Sequence, residues 1–202
     1  MPDLRLEREA GGVVAGVDEV GRGPWAGPVV AAAVILDVAT LPLSLAEVID
    51  DSKMLNARRR EDIAQQLRIC ARIGIGAAAT AEISALNILG ATFLAMRRAV
   101  GALDVLPDLA LVDGNRLPPL PCPARTIIKG DGISLTIAAA SIIAKVTRDR
   151  LMVRLGARYP GFGWERNAGY GTAEHQAALN RLGVTPHHRK SFAPIVKMLS
   201  LD

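Results

Sequence analysis

Acidic residues stand at the ends of three apolar segments, and this pattern constrains the fold more than any other feature of the chain. The segments read AGVDEVGRG, LALVDGNR and TIIKGDGIS, with Asp18 and Glu19 in the first, Asp113 in the second and Asp131 in the third. Each acid taken alone is explained by a turn or a helix cap. If the three strands are neighbours, however, their carboxylates converge and repel one another unless cations lie between them.

The same acids indicate the kind of cation. Carboxylate oxygens are hard ligands that suit Mg²⁺ or Mn²⁺, and the adjacent glycines leave room for a phosphate backbone. Asp18 and Glu19 are consecutive, and consecutive strand residues point to opposite faces. Both therefore reach one metal site only if the strand ends or bulges there.

The order of apolar and polar segments predicts an α/β fold. Strands are predicted at Val13–Asp18, Pro28–Leu36, Ile73–Ala79, Leu109–Val112 and Arg125–Ile128, and helices at Ala57–Cys70, from Thr80 to about Ala102 with a break near Asn87, at Leu135–Leu155, Thr172–Leu182 and within Ser191–Leu201. Asn56, Thr80 and Ser134 are expected N-caps, and Gly183 a helix stop. An early hairpin followed by alternating strands and helices indicates a mixed sheet flanked by helices.

Composition limits the class of protein. A chain of 202 residues is one ordinary domain, or one domain with a small appendage, and 50% apolar content argues against disorder. No apolar run approaches the roughly 20 residues of a membrane span, and the first twelve residues carry no apolar signal core. Cys70 and Cys122 lack metal-ligand spacing, so we expect reduced thiols in a cytoplasmic protein. The net charge of +4 permits a polyanionic partner without requiring one.

Two glycine-rich nucleotide-binding motifs are excluded by their context. The stretch GVDEVGRG has the glycine spacing of a Walker A loop but lacks the Lys-Ser/Thr that should follow. The stretch GRGPWAG departs from G-x-G-x-x-G, and a β-branched segment follows it where that motif requires a helix.

Several blocks of the sequence resemble bacterial ribonuclease HII. The two specific ones are VDEVGRGPWAGPVVAAAVIL at Val17–Leu36 and AAASIIAKVTRD at Ala138–Asp149. The shorter ones are Asp51-Ser52-Lys53, Val112-Asp113-Gly114-Asn115, Lys129-Gly130-Asp131, Gly169-Tyr170-Gly171-Thr172, Glu174-His175, His188-Arg189 and Ser191-Phe192. Together they extend from about Gly16 to Pro194 in family order. The chain departs from the family at Trp25, where a Leu is expected, and at Met54 and Ala168, where the missing positive charge weakens the expected backbone binding.

The resemblance implies a fold and a reaction. The fold is an RNase H-like mixed sheet flanked by helices, in a catalytic domain at 1–171, with a helical C-terminal extension at 172–202 packed on it. The reaction is hydrolysis of the RNA strand of RNA–DNA hybrids, and cleavage 5′ to a single ribonucleotide embedded in duplex DNA, which leaves a 3′-hydroxyl and a 5′-phosphate. Two divalent ions, Mn²⁺ or Mg²⁺, are expected on Asp18, Glu19, Asp113 and Asp131, with Asp18 as the bridging ligand.

A second class of function is a hybrid-binding module that has lost catalysis. All four acids are present, and a pure binder gains nothing from a repulsive cage of carboxylates, so the enzyme is favoured over this alternative.

The resemblance also implies residues that read the sugar. The Gly21-Arg22-Gly23 stretch matches the family's junction reader, and Tyr170 matches its junction tyrosine, whose ring stacks on the deoxyribose after the ribonucleotide. The alternative for Tyr170 is a turn aromatic that covers a helix end.

Basic residues supply candidate phosphate contacts. Ser141, Lys145 and Arg148 fall at i, i+4 and i+7 and share a helix face. That face either meets phosphate or is a solvated stripe in which Lys145 pairs with Asp149. Lys53 and Arg22 are further phosphate candidates, and His188 with Arg189 is a weaker one.

The end of the chain offers one more interpretation. Met198–Asp202 faintly resembles the short motif by which bacterial replication proteins dock on the sliding clamp. It lacks the leading Gln and the final aromatic of that motif, and the alternative is an amphipathic chain end.

Overall fold

A five-stranded mixed sheet forms the centre of the molecule. The computed structural model describes residues 1–37, 39–50 and 52–200. The strands are β1 (Val14–Val20), β2 (Val29–Leu36), β3 (Ala71–Ala78), β4 (Leu109–Asp113) and β5 (Ala124–Ile127). They lie in the order β3-β2-β1-β4-β5, with β1 antiparallel to β2, β2 antiparallel to β3, and β4 parallel to both β1 and β5. The predicted hairpin and mixed α/β sheet are confirmed.

Among the described residues, the five predicted helices are present, and three short helices that were not predicted accompany them. They are α1 (Arg5–Ala10), α2 (Leu43–Ala46), α3 (Ala57–Cys70), α4 (Thr80–Gly101), α5 (Leu135–Arg158), α6 (Trp164–Asn167), α7 (Ala173–Leu182) and α8 (Ala193–Leu199), with a 3₁₀ turn at Gly130–Gly132. The predicted bounds of α3 are reproduced residue for residue, and α5 continues three residues beyond the predicted end.

Capping side chains explain where the long helices begin. Asn56 Oδ1 accepts a hydrogen bond from the Arg59 amide at 2.9 Å, and Ser134 Oγ accepts one from the Ile137 amide at 3.2 Å. The prediction that Thr80 caps α4 is wrong, because Thr80 is already its first helical residue. There the Glu82 carboxylate accepts from the Ala79 amide instead, at 2.9 Å.

The sheet is covered on both faces. On one face α3 and α5 pack against the side of β2 that carries Val34. On the other face α4 packs against the side that carries Ala33. Close approach depends on two glycines: a Cβ at Gly16 would lie 2.1 Å from the Thr136 carbonyl carbon of α5, and one at Gly76 would lie 2.1 Å from the Ala95 oxygen of α4. Helix α5 is thereby held directly against β1, which carries Asp18, and α4 against the edge strand β3.

Helix α4 is interrupted at Asn87 (φ 57°), so the predicted break is confirmed. Within the described parts of the chain, this is the one helix with the length and apolar composition of a membrane span. Its Ala91, Ala95 and Ala99 are fully buried in the cluster formed with the sheet. Core packing accounts for its apolar character.

The C-terminal helices pack on the preceding residues through a separate apolar cluster. Leu179 of α7 and Ile195 of α8 join Trp164, Met152 of α5 and Ala26 in this cluster. The segment after residue 172 therefore packs on the β1–β2 loop and on the C-terminal part of α5, and it helps to hold that loop in place.

Candidate active site

Three carboxylates converge at the carboxyl edge of the sheet. Asp18 lies near the end of β1, Asp113 is the last residue of β4, and Asp131 lies in the 3₁₀ turn after β5. Because these strands are parallel, their carboxyl ends meet at one edge. One carboxylate oxygen from each residue lies within 4.8 Å of the other two, so the three can share a metal ion.

Each carboxylate is held by a local donor. Asp18 Oδ1 accepts from the Glu19 amide at 2.7 Å, and Asp113 Oδ1 accepts from the Gly130 amide at 2.7 Å. Asp131 Oδ2 accepts from Lys53 Nζ at 3.0 Å. A carboxylate has about four acceptor positions, so these bonds orient the acids and leave acceptor capacity for another ligand.

The electrostatics of the cluster favour a bound cation. Burial raises the pKa of Asp18 well above its ordinary value, and the negative charges of Glu19 and Asp113 raise it further. Burial also raises the pKa of Asp113, and Asp131 adds to that increase. A divalent cation removes both causes, because it replaces lost solvation and neutralises the repulsion.

Glu19 lies outside the group of three acids but close to it. Strand β1 continues to Val20 in regular register with β2, with no bulge at Glu19. Glu19 therefore lies on the α4 face of β1, opposite to Asp18, and its part in the metal site stays a prediction. It lines a cavity of about 330 Å³ that also touches Asp113. Burial raises the Glu19 pKa, and the Arg22 guanidinium, 3.4 Å away, offsets part of this increase.

The cavity beside Glu19 contains residues that the sequence did not single out as ligands. Beside the predicted Arg22, its walls include Asn115 and Arg116, and its apolar side includes Phe93. Asn115 and Arg116 follow the acid of β4 directly, and this proximity in sequence is the signal that could have marked them.

The Gly21-Arg22-Gly23 loop and Tyr170 lie side by side. A Cβ at Gly23 would be 3.5 Å from Tyr170 Cε1, and Tyr170 is 45% exposed. The Tyr170 carbonyl is bonded to His175 Nδ1 at 2.9 Å, which anchors the backbone below the ring. The ring is thus presented to solvent next to the loop, as a stacking surface requires.

The residues of the predicted basic face of α5 differ in burial: Ser141 and Arg148 are buried, and Lys145 is partly exposed. Ser141 is 3% exposed, and its Oγ accepts from the Ser52 amide at 3.3 Å. Lys145 Nζ donates to Asp149 at 2.8 Å, so the ion pair of the solvated-stripe alternative is present. Lys53, on the segment that Ser141 holds, is 77% exposed at its side chain beside the acids.

Arg148 requires a correction. Both sequence alternatives placed it at the surface, as a candidate phosphate contact or in a solvated stripe, but the side chain is fully buried and donates to the backbone carbonyls of Pro28, Ala168 and Ala26 at 2.9–3.1 Å. Its donors are engaged inside the protein, so it does not present them to a substrate. Arg189, a weaker phosphate candidate, is buried in the same way. No local sequence signal marks either residue as internal.

Comparison with known proteins agrees with this geometry. A protein-family model described as Ribonuclease HII matches residues 15–195. A ribonuclease HII of Paramagnetospirillum magneticum is 62% identical over 199 residues, which cover 98% of this chain and 99% of the relative. The structure of ribonuclease H2 from Pyrococcus horikoshii OT3 superposes with a TM-score of 0.78 at 27% identity, covering 94% of this chain and 98% of that one. Ribonuclease HII of Archaeoglobus fulgidus, solved in complex with PCNA, has a TM-score of 0.75 at 25% identity, covering 89% and 95%.

The fold and its edge of carboxylates define a ribonuclease of the RNase H-like class. Because the family model spans nearly the whole chain and the bacterial relative is similar along its full length, the family is also settled. The chain belongs to the ribonuclease HII family. It is an endoribonuclease that acts on RNA–DNA hybrids, as the sequence resemblance implied.

Proposed function

We propose that this enzyme cuts both the RNA strand of hybrids and the 5′ side of a single ribonucleotide embedded in duplex DNA, leaving a 3′-hydroxyl and a 5′-phosphate. The observation that carries the proposal is the convergence of three carboxylates at one edge of the sheet, where Asp18 lies a few residues before the glycine loop and its neighbour Tyr170. A reader of the sugar next to the reacting phosphate is what cleavage at one ribonucleotide requires.

Two divalent ions, Mn²⁺ or Mg²⁺, fit the donor set. Asp18, Asp113 and Asp131 would hold them, with Asp18 shared between the ions, and Glu19 would complete the site from its own side of β1. Hard carboxylate oxygens and the raised pKa of Asp18 both support this assignment. When bound, such ions supply an activated water, charge neutralisation and a stabilised leaving oxygen.

The protein residues bind and orient the nucleic acid. The backbone of Gly21-Arg22-Gly23 approaches the 2′-hydroxyl, because two of its three residues lack side chains. The Tyr170 ring lies against the next deoxyribose, where a 2′-hydroxyl would obstruct it. Lys53 and Arg22, both beside acids of the site, supply positive charge to the phosphates.

One assay tests the proposal directly. A labelled duplex with a single ribonucleotide is incubated with Mg²⁺, with Mn²⁺ and with EDTA, and the cut is mapped to the nucleotide. We expect one cut 5′ to the ribonucleotide with either ion and none in EDTA. A cut on the other side, or cutting in EDTA, contradicts the proposal.

Three further expectations remain proposals. Residues 1–171 form the catalytic part, and 172–202 form the extension that packs on it. The enzyme acts in the cytoplasm. The tail from Met198 contacts a sliding clamp weakly, and the complex of the Archaeoglobus relative with PCNA supports this contact. Leu201 and Asp202 of this tail lie outside the described residues. Asp51 of the Asp51-Ser52-Lys53 block also lies outside them. A peptide of the last dozen residues that fails to bind the clamp at high micromolar concentration removes the clamp contact.

A further inference from the structure

Two arginine side chains are buried beneath the Gly21-Arg22-Gly23 loop without an acidic partner. Arg148 lies on α5 and Arg189 lies between α7 and α8, and both are 0% exposed. In the described ranges of the chain, neither guanidinium forms an ion pair with a carboxylate. Burial of an unpaired charge is costly unless hydrogen bonds compensate for it, so their partners show what the two side chains are for.

Arg189 binds the loop itself. Its Nε donates to the Gly27 carbonyl at 3.0 Å, its Nη1 to the Arg22 carbonyl at 2.8 Å, and its Nη2 to the Gly21 carbonyl. Its own amide donates to the Trp25 carbonyl at 2.8 Å. All three nitrogens of one guanidinium are therefore engaged by the segment between β1 and β2.

Arg148 joins that segment to the backbone that carries Tyr170. It donates to the carbonyls of Ala26 and Pro28 and, at 2.9 Å, to that of Ala168. The Trp25 amide adds a bond to the Gly169 carbonyl at 2.8 Å. The loop and the tyrosine are thus two parts of one hydrogen-bonded unit.

The bonds from Arg189 fix which way the loop's peptide groups face. In a trans peptide the C=O and the following N–H point in opposite directions. Because the Gly21 and Arg22 carbonyls point to Arg189, the amides of Arg22 and Gly23 point away from it. Both residues are exposed, and neither amide has a hydrogen-bond acceptor in the described residues. The loop consequently presents two donors outward, while its first two carbonyls are engaged inside.

We propose that Arg189 is a positioning residue for ribose recognition, which holds the Arg22 and Gly23 amides toward the 2′-oxygen of the substrate. The inference rests on the proposed recognition of an embedded ribonucleotide by this loop. Lysine cannot replace Arg189, because a single ammonium does not reproduce the planar fork that meets three carbonyls.

The test measures discrimination between sugars. Dissociation constants for an all-DNA duplex and for the same duplex with one ribonucleotide are measured in EDTA, where both remain uncut and both meet the same repulsion from the acids. For Arg189→Lys we expect the ratio of the two constants to fall about tenfold, the worth of one or two misdirected hydrogen bonds. Affinity for the all-DNA duplex is expected to stay unchanged.

A matched control separates positioning from stability. Ile195→Val removes one methyl group from the apolar cluster under the same C-terminal segment. It should lower the melting temperature and leave the discrimination ratio at the wild-type value. An equal fall of the ratio in this control would show that the effect is a general loosening, and would overturn the proposal.

A measurement on the wild type covers the case in which Arg189→Lys does not fold. The amide NMR signals of Arg22 and Gly23 should move downfield with the one-ribonucleotide duplex and not with the all-DNA duplex. Equal shifts with both duplexes, or a folded Arg189→Lys that discriminates as well as the wild type, overturn the positioning proposal alone. A wild type that does not discriminate at all overturns the proposed recognition of an embedded ribonucleotide as well.

Discussion

A cluster of carboxylates and a pair of guanidinium groups lie near the same loop, and the two differ in their hydrogen bonding. The carboxylates of Asp18, Asp113 and Asp131 have few internal donors, and the pKa of Asp18 is raised by burial and repulsion. The guanidinium groups of Arg148 and Arg189 have all their nitrogens bonded to backbone carbonyls. Burial lowers their pKa values to about 10 and about 9, so both stay charged at neutral pH.

The difference separates a ligand site from a scaffold. A buried charge whose partners are all supplied by the fold gains nothing from a ligand, and it determines the conformation of whatever it bonds. A buried charge that lacks such partners is stable only when something from solution completes it. By this criterion the acids form a binding site for cations, whereas the arginines determine the conformation of the loop.

The largest expected effect concerns the acids. Asp18→Asn should abolish cleavage, a loss beyond the roughly 10–100-fold typical of residues that only orient metal ligands. In EDTA its melting temperature should rise, because one source of repulsion has been removed. Cleavage of a one-ribonucleotide duplex and thermal melting measure the two effects. Asp62→Asn, at an exposed position of α3, is the control and should alter neither.

The arginines should show the opposite response to neutralisation. Arg148→Met leaves three buried carbonyls without donors and should lower the free energy of unfolding by about 3–5 kcal/mol. Urea denaturation at neutral pH measures this loss. The control is Arg154→Met, which lies on the exposed side of α5. A neutral or stabilising Arg148→Met would show that the carbonyls do not compensate its charge, and the comparison with the acids would fail.

A buried histidine pair provides a third case, in which the groups are neutral. Trp164 Nε1 donates to His175 Nε2 at 3.2 Å, and the amide of Thr185 donates to His188 Nδ1 at 2.9 Å. The two Nε2 atoms are 3.0 Å apart, so His188 carries its proton there and His175 carries its own on Nδ1, toward the Tyr170 carbonyl. Protonation of either ring places a second N–H opposite a group that already donates: His175 Nε2–H would face His188 Nε2–H, and His188 Nδ1–H would face the Thr185 amide.

The pH dependence follows from that network. Burial, with the neighbouring His175, lowers the pKa of His188 from 6.5 to about 4. The unfolded chain therefore binds more protons between these values, and stability on the order of 3 kcal/mol should be lost as the pH falls from 6.5 to 4. Asp18, Glu19 and Asp113 have raised pKa values and contribute with the opposite sign, so NMR titration of the imidazole itself is the measurement. A His188 midpoint near 6.5 would contradict the network.

Tyr170 tests whether the unit held by the arginines reads the sugar. Tyr170→Ala should reduce kcat/KM on a one-ribonucleotide duplex by a factor that corresponds to about 1–3 kcal/mol of activation free energy, if aromatic stacking energies apply to this contact. The loss on a continuous hybrid should be smaller, because every sugar of that strand carries a 2′-hydroxyl. Tyr170→Phe keeps the ring and should behave as the wild type. Equal losses of Tyr170→Ala on both substrates would make the tyrosine structural.

Local chemistry explains which parts of this structure could be predicted. The α3 helix begins where Asn56 caps it, and the acids were found because each follows an apolar strand. Thr80 failed as a cap because the carboxylate of Glu82, three residues after Ala79, bonds to the amide of Ala79. These signals all lie within a few residues of the feature that they determine.

Features that depend on distant contacts could not be predicted. Arg148 looked like a surface residue, since its partner carbonyl on Pro28 lies 120 positions away in sequence. The buried Arg148 also gives a reason for glycine at position 21, because a Cβ there would lie 2.2 Å from Arg148 Nε. Glu19 was expected at the metal site with Asp18, and only the register of β1 with β2 shows that it would contribute from the other face of the sheet.

The smallest expected effect concerns an exposed charge, which contrasts with both buried groups. Lys53 lies at the rim of the acid cluster, with its Nζ 3.0 Å from Asp131 and its side chain 77% exposed. If it also meets a substrate phosphate, Lys53→Gln should lower the slope of log affinity against log salt by about 1, with equal loss on every duplex. Arg72→Gln is the control, because Arg72 is the second residue of β3, the strand at the edge of the sheet away from β5, and lies level with Ile35 of β2. An unchanged slope for Lys53→Gln would show that Lys53 makes no phosphate contact, and that the rim of the site contributes to the metal centre rather than to the duplex.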